Sequence, residues 1–439
     1  MAKYYIDPTW AGAENGTEAE PFASWPALTE GNEYLGKGGT TSTLSAILNL
    51  TTPRITLGTY PEDLSLGKHT INGASAGDPD RVIRIAATAH YPTIKNLDLD
   101  MGGNKVNGIT SNAGSVGGTI YGCDLRGGEG HATNNNQGIS WQSNSPFEIR
   151  DNTITGFNSG VWLGNNAITA YSSIHHNTIA NTPHPDAHTF ASAMAILGGI
   201  DCAYNLHIHD NDLSGWLENA IDLVGASNVY FYSNECWGNR YSPTNQSAIL
   251  CGATDGSIGG SRIYANYIHD ITHIDTELTN YGINTRGGVN IESVGNLIVN
   301  CDGGIVTSSV STGCSFDHES IINCRVGVKN SIGTNTLSNS LITGTTGDNS
   351  IDISAGTLTV DHSYYDKTAS GITDGGNNTN ADEPLLNADY SLPTDSPLVG
   401  SGGSSDSSIN VTLGEPFPMF DIDIGAMQST HGPFHPINL

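Results

Sequence analysis

Ile149-Arg150-Asp151-Asn152-Thr153-Ile154-Thr155-Gly156 sets a phrase that much of the chain repeats. Written as apolar-x-x-Asn-x-apolar-x-(Gly/Asn/Asp), it returns as Ile174 to Asn181 with Asn177 in the fixed place, and as Ile208 to Gly215 with Asn211. It returns again as Phe231 to Gly238 with Asn234 and as Ile263 to Asp270 with Asn266, and a looser copy sets Asn296 before Ile298 and Asn300. Degenerate copies carry Leu97, Cys123, Glu319, Ser340 and Ser363 in the asparagine place. Successive places lie 26, 29, 25, 34, 23, 32, 30, 23, 21 and 23 residues apart. A variable period in the twenties, with apolar residues alternating inside each unit, belongs to a stacked coil and not to a helical repeat.

A second phrase, a small residue before an apolar one, follows each first phrase: Gly138-Ile139, Gly160-Val161, Ala220-Ile221, Ala248-Ile249, Gly282-Ile283 and Gly304-Ile305 among others. Two short strands per unit, joined by tight turns, predict an all-β chain: a single-stranded, right-handed parallel β-helix of roughly eleven coils with caps at both ends. Coils of that kind stack about 4.8 Å apart, and equivalent side chains form ladders. Asparagines stacked inside a turn can hydrogen-bond along the axis, so a structural role is expected for them.

Composition fits. The 54 glycines supply turns, and 37% apolar residues suffice for a narrow core. No run of 18 apolar residues offers a membrane span. Met1-Ala2-Lys3-Tyr4 lacks the basic and apolar regions of a signal peptide, so the expectation is a removed leader or a virion component, placed outside the cell or on the virion surface. With 44 acidic against 16 basic residues the formal net charge is −28, a field that repels nucleic acid and anionic membranes and disfavours a strongly acidic glycan. Of seven cysteines, Cys123 and Cys236 fall at inward positions, and Cys301 and Cys324 should stack one coil apart, as a reduced pair in preference to a disulfide.

Three regions follow: a cap and lead-in over residues 1–87, the β-helix over 88–366, and a Gly-, Ser-, Asn- and Asp-rich capping segment over 367–439 that should cover an open β-edge. Both ends resemble known relatives. Tyr4-Tyr5-Ile6-Asp7-Pro8, Gly12-Ala13-Glu14-Asn15-Gly16-Thr17 and Glu20-Pro21-Phe22 look like the start of many secreted and phage β-helix proteins. Asp382-Glu383-Pro384-Leu385, Asp389-Tyr390-Ser391-Leu392, Asp395-Ser396-Pro397 and Asp423-Ile424-Gly425-Ala426 resemble the C-terminal signature of β-helix proteins related to polysaccharide lyases. The resemblance is to the pectate-lyase-like superfamily, which implies this fold and includes lyases, hydrolases, epimerases, phage tailspikes with depolymerase activity and inert fibres.

Chemistry is expected where coils are interrupted. From asparagine place to small-apolar phrase takes 14 residues at Asn234, 16 at Asn266 and 18 at Asn177, against 8 or 9 at Asn152, Asn211, Asn296 and Glu319. Long loops at one corner of a rigid stack are usually functional. They hold His184-Pro185-Asp186-Ala187-His188, then Arg240-Tyr241, then His269-Asp270, His273, Asp275 and Glu277. Asp222 should point outward when Ile221 points in, with Asn284 in the same column two coils later and Arg286 beyond it. The expected groove thus has Asp186, His188, Asp222 and His273 as catalytic candidates, and Arg240, Tyr241, Asn284, Arg286 and Trp237 against the substrate.

Uronate elimination would use His188 or His273 as base and Arg240 or Arg286 at the carboxylate. Hydrolysis would use paired carboxyls such as Asp186 and Asp222. The stretch from His184 is similar to the active stretch of alginate epimerases but departs from their Asp-Pro-His-Glu order. No cofactor is required, although His184, Asp186 and His188 alternate and could hold a divalent cation such as calcium. An outward column of Arg150, His175, His209, Tyr232 and Tyr264, with Trp237 and His269 across the turn, suits sugar stacking or a subunit interface. The expected partner is a polysaccharide. The contrasting expectation is a non-catalytic tailspike, fibre or virion-surface protein, such proteins often being homotrimers, and the loops are then merely solvated.

Overall fold

The computed structural model describes residues 1–73, 81–102, 107–127, 136–164, 171–180, 192–239, 247–252, 258–272, 280–381, 386 and 390. They form mostly short strands, two long ones at Met194–His209 and Asn219–Tyr232, and one 3-10 turn, Pro61–Leu66. Among them no helix is long and apolar enough to cross a membrane. The chain divides into two compact units, Met1–His207 with Asn211–Leu217, and Ile208–Asp210 with Glu218–Leu439.

Each unit is made of coils with three strands, where the sequence suggested two. In the first unit Gln137–Trp141, Glu148–Arg150 and Thr153–Thr155 form one coil, and Ser159–Leu163, Ser172–His175 and Thr178–Ala180 the next. Each strand runs parallel to its equivalent one coil on and in register with it, so Val161 stands beside Ile139, Ile174 beside Ile149 and Ile179 beside Ile154. Three faces result, named here first, second and third in the order the chain visits them. The repeated phrase is two strands with a corner between them, not one strand. Asp151, at the corner, has φ 55°, and the residues before the other asparagine places do likewise: His176, Asp210, Ser233 and Ala265. A left-handed residue turns the chain without breaking the apolar alternation, which is why the corner was invisible to periodicity.

In the second unit the inward ladders are Ile221, Ile249, Ile283 and Ile305 on the first face, and Cys236, Ile268, Ile298 and Ile321 on the third. All are fully buried. Each such aliphatic side chain contributes roughly 1.5–3 kcal/mol by leaving water. Outward positions of the third face can also be covered: Leu386 and Tyr390 pack with Tyr267 onto Leu297, Val299 and Ile322.

The asparagines hold the corners, as expected. Asn177 Nδ2 donates to Asn211 Oδ1 at 2.9 Å and to the Ile149 carbonyl at 3.0 Å, while its backbone N–H donates to Asn211 Oδ1 at 3.0 Å. Asn152 makes the same bonds to Asn177. In the second unit Asn234 bonds in this way to Asn266, and Asn266 to Asn296. Only a side chain with an acceptor and a donor on one carbon can serve the coil before and the coil after at once. Cys123, Cys236, Cys301 and Cys324 are buried free thiols. Burial, with Cys324 alongside, pushes the Cys301 thiol well above its ordinary range, which lowers its thiolate character.

Candidate functional site

Asp222 is the sequence-predicted site residue whose surroundings are most informative. Ile221 and Leu223 belong to the buried core, so alternation turns Asp222 outward on the first face. Its register partner is Leu250, and Leu250 in turn pairs with Asn284, the alignment two coils apart that the sequence implied. Outward does not mean solvated, however. Asp222 is only 5% exposed, and its Oδ1 has no hydrogen-bond partner. Burial pushes its carboxyl up to about 7 and the nearby Glu218 carboxylate adds to the rise, while Arg286 and the Asn219 side chain oppose it. A carboxyl near 7 exchanges its proton at neutral pH, which is what a general acid or base requires.

Arg286 feels this carboxyl electrostatically, yet its own buried Nε also lacks a hydrogen-bond partner. Asp222 Oδ1 and Arg286 Nε are thus both buried polar atoms without a hydrogen-bond partner. Each carries a desolvation cost of about 1–3 kcal/mol. The backbone at Arg286 is set by a close approach. Gly252 has φ +146°, and a Cβ there would collide with the Arg286 carbonyl oxygen. Asn284, two residues before Arg286, accepts a hydrogen bond from Ser308 Oγ at 3.0 Å, which fixes its amide.

The other predicted residues fall differently. Asp186, His188, Arg240, Tyr241 and His273 lie outside the described residues, as do His184, Asp275 and Glu277. Trp237 stands on the third face, 39% exposed, with its ring parallel to that of His269 at 6.2 Å. The aromatic column on the second face exists within the second unit. His209 stacks on Tyr232 at 4.7 Å and Tyr232 on Tyr264 at 4.8 Å, with planes within 8° of parallel. In the first unit Arg150 is in register with His175.

No family model and no curated protein matches the sequence. Among solved structures the chain is similar to the catalytic unit of a thermostable GH87 α-1,3-glucanase from Streptomyces thermodiastaticus strain HF3-3. The identity is 14% and the TM-score 0.53, over 80% of this chain and 64% of that one. It is also similar to the Dettilon tailspike protein, with 12% identity and a TM-score of 0.48 over 87% of this chain and 68% of that one. A surface adhesin of Streptococcus pneumoniae gives 12% identity and a TM-score of 0.46, over 80% and 86% of the two chains. The chain has the right-handed parallel β-helix fold. It spans 64% of the length of the glucanase unit it resembles, and the likeness is one of fold.

Within this β-helix, sequence reasoning missed two carboxyls. Glu218 lies four residues before Asp222, where it raises the Asp222 carboxyl. It sits in no repeated column, and its only signal was that spacing across Asn219-Ala220-Ile221. Glu319 was read as a degenerate asparagine place, but it is a fully buried acid. Its Oε1 accepts from Ser293 Oγ at 2.6 Å and from Asn296 Nδ2 at 3.1 Å, and its Oε2 accepts from the Asn296 backbone N–H at 3.1 Å. Burial raises it to about 8 despite those donors. Ser293 occupies a position whose register neighbours are Ile263 and Phe316. The smaller residue gives the longer acid its space.

Proposed function

We propose that this β-helix protein cleaves a polysaccharide by hydrolysis, with Asp222 as the general acid and Glu218 as the second carboxyl. The observation that carries the proposal is the buried, incompletely hydrogen-bonded Asp222 carboxyl on the outward side of a rigid strand, where an acid and a guanidinium act on it in opposite senses. Glycoside hydrolysis needs one carboxyl that keeps its proton until the leaving oxygen takes it, and another that stays ionised. Desolvation and the Glu218 charge keep the proton on Asp222 toward neutral pH. A β-helix supplies the rigidity such a pair requires, since each coil is locked by its neighbours. The fold shared with a glucanase catalytic unit is compatible with this reading. Asp186, His188 and His273 are the next groups to vary. The site of action would be extracellular or at a virion surface.

A panel of neutral and uronic polysaccharides, assayed for chain shortening and for new double bonds, tests the proposal. Shortening without unsaturation, lost in Asp222→Asn, is the expected result. Unsaturated products would mean a lyase instead. No shortening of any glycan would leave an architectural protein of the tailspike or fibre kind.

A further inference from the structure

We infer that His269 is a pH-operated clasp between two coils of the second unit. As an imidazolium it joins Glu235 of one coil to Asp270 of the next, and on losing its proton it releases one of them. The clasp is independent of any action on a glycan.

Both ring nitrogens face a carboxylate. Nε2 stands 3.0 Å from Glu235 Oε1, and Nδ1 stands 2.8 Å from Asp270 Oδ2. An ionised carboxylate only accepts, a neutral imidazole has one donor and one acceptor, and an imidazolium has two donors. A neutral ring would therefore turn a lone pair toward one of the two carboxylates. Only the charged ring satisfies both.

Neighbouring residues hold the ring in this place. Register sets His269 between Trp237 of the preceding coil and Val299 of the following one. Asp270 has a left-handed φ of 55°, which turns the chain out of the strand. Asn300 Nδ2 donates to the other Asp270 oxygen, Oδ1, at 3.2 Å. The Tyr267 ring stacks on the imidazole at 4.2 Å, within range for the attraction of a cation to an aromatic face. Trp237 lies parallel at 6.2 Å. Among the described residues, the titratable groups that face His269 are Glu235 from the preceding coil and Tyr267 and Asp270 from its own. The strand of the following coil, Leu297–Val299, carries none.

Electrostatics agree with this geometry. Burial opposes a charge on the ring, but Glu235 and Asp270 outweigh it and hold the imidazole above its ordinary value. His269 in turn, helped by Asn300, holds the Asp270 carboxyl below the usual carboxylate range. The folded ring thus keeps its proton longer than the unfolded chain does. Its contribution to stability is complete below the ordinary imidazole value of 6.5 and is lost as pH rises through the folded value.

Nitrogen–proton correlation spectra of the full chain read the proton directly, with the His269 signals assigned by their absence in His269→Gln. The expected midpoint lies above 6.5, with protons on both nitrogens below it, and Glu235→Gln and Asp270→Asn each lower it. The stability difference between wild type and His269→Gln should shrink across the same midpoint. Taking that difference cancels the titration of Glu319, which both proteins share. If His269→Gln does not fold, Glu235→Gln and Asp270→Asn still decide, since each should move the same single imidazole. A midpoint at or below 6.5, a midpoint that only one of the two carboxylate variants lowers, or a stability difference that stays constant through it overturns the clasp.

Discussion

Asp222, Asp317 and Glu319 are the buried carboxyls among the described residues of the second unit, and Asp222 and Glu319 differ most in how they are satisfied. Glu319 sits at a corner of the coil with three hydrogen-bond donors directed at its two oxygens, and it continues the asparagine ladder. Asp222 sits on the outward side of the first face with one oxygen left without a partner, and Glu218 and Arg286 act on its charge in opposite senses. Both are raised, to about 8 and about 7, and for the same first reason, burial. The shifts alone would not distinguish them. Satisfaction does: Glu319 has donors on both oxygens, whereas Asp222 keeps one oxygen without a partner, the difference on which the proposed catalytic role of Asp222 rests.

The largest effect is expected at Asp222. Asp222→Asn should lower the rate of glycan shortening by roughly a hundred- to ten-thousandfold, while thermal unfolding stays within about 0.5 kcal/mol of wild type or shifts upward, since a buried charge is removed. A variant that unfolds would dissolve the contrast.

Glu319→Ala should do the reverse. It leaves Ser293 Oγ and two Asn296 donors without their acceptor. Stability should fall by about 3 kcal/mol in denaturant unfolding, with activity per folded molecule unchanged.

Next in size is a pH effect on stability. A folded value of about 8 against 4.5 for the free acid means that folded Glu319 holds its proton longer than the unfolded chain does. Its contribution is fully present below pH 4.5, declines as pH rises to about 8, and is flat beyond. Across that window roughly 2–4 kcal/mol should be lost. Glu319→Gln should flatten this part of the curve, with its carbonyl accepting from Asn296 and its amide donating to Ser293; melting temperature against pH measures it. Activity should also fall as pH climbs past about 7, when Asp222 loses its proton under the opposing influences of Glu218 and Arg286.

The smallest effect concerns backbone placement. Gly252→Ala meets both a φ of +146° and the Arg286 carbonyl oxygen. It should cost about 1–3 kcal/mol of stability, as denaturant unfolding would show.

Much of the ladder was legible because it is repeated chemistry: the asparagine place needs the same donor–acceptor side chain in every coil, so periodicity exposes it. The third strand per coil was not legible. Asp151, His176, Ser233 and Ala265 share a left-handed φ but no side-chain chemistry, so the corner has no signature in the sequence. The outward alignment of Asp222 with Asn284 followed from alternation alone. Its burial did not, because shielding is a property of packing. Glu319 was visible as a departure from asparagine, whereas the compensating Ser293 stands three residues before the preceding asparagine place, in a ladder of large apolar residues. Neither residue explains the other until the coils are stacked.

The most direct test compares Asp222→Asn with Glu319→Gln on a glycan that the wild type shortens, recording the cleavage rate per folded molecule. The account predicts that Glu319→Gln cleaves at the wild-type rate and that Asp222→Asn, equally folded, cleaves at least about a hundredfold more slowly. Wild-type cleavage by Asp222→Asn would contradict it.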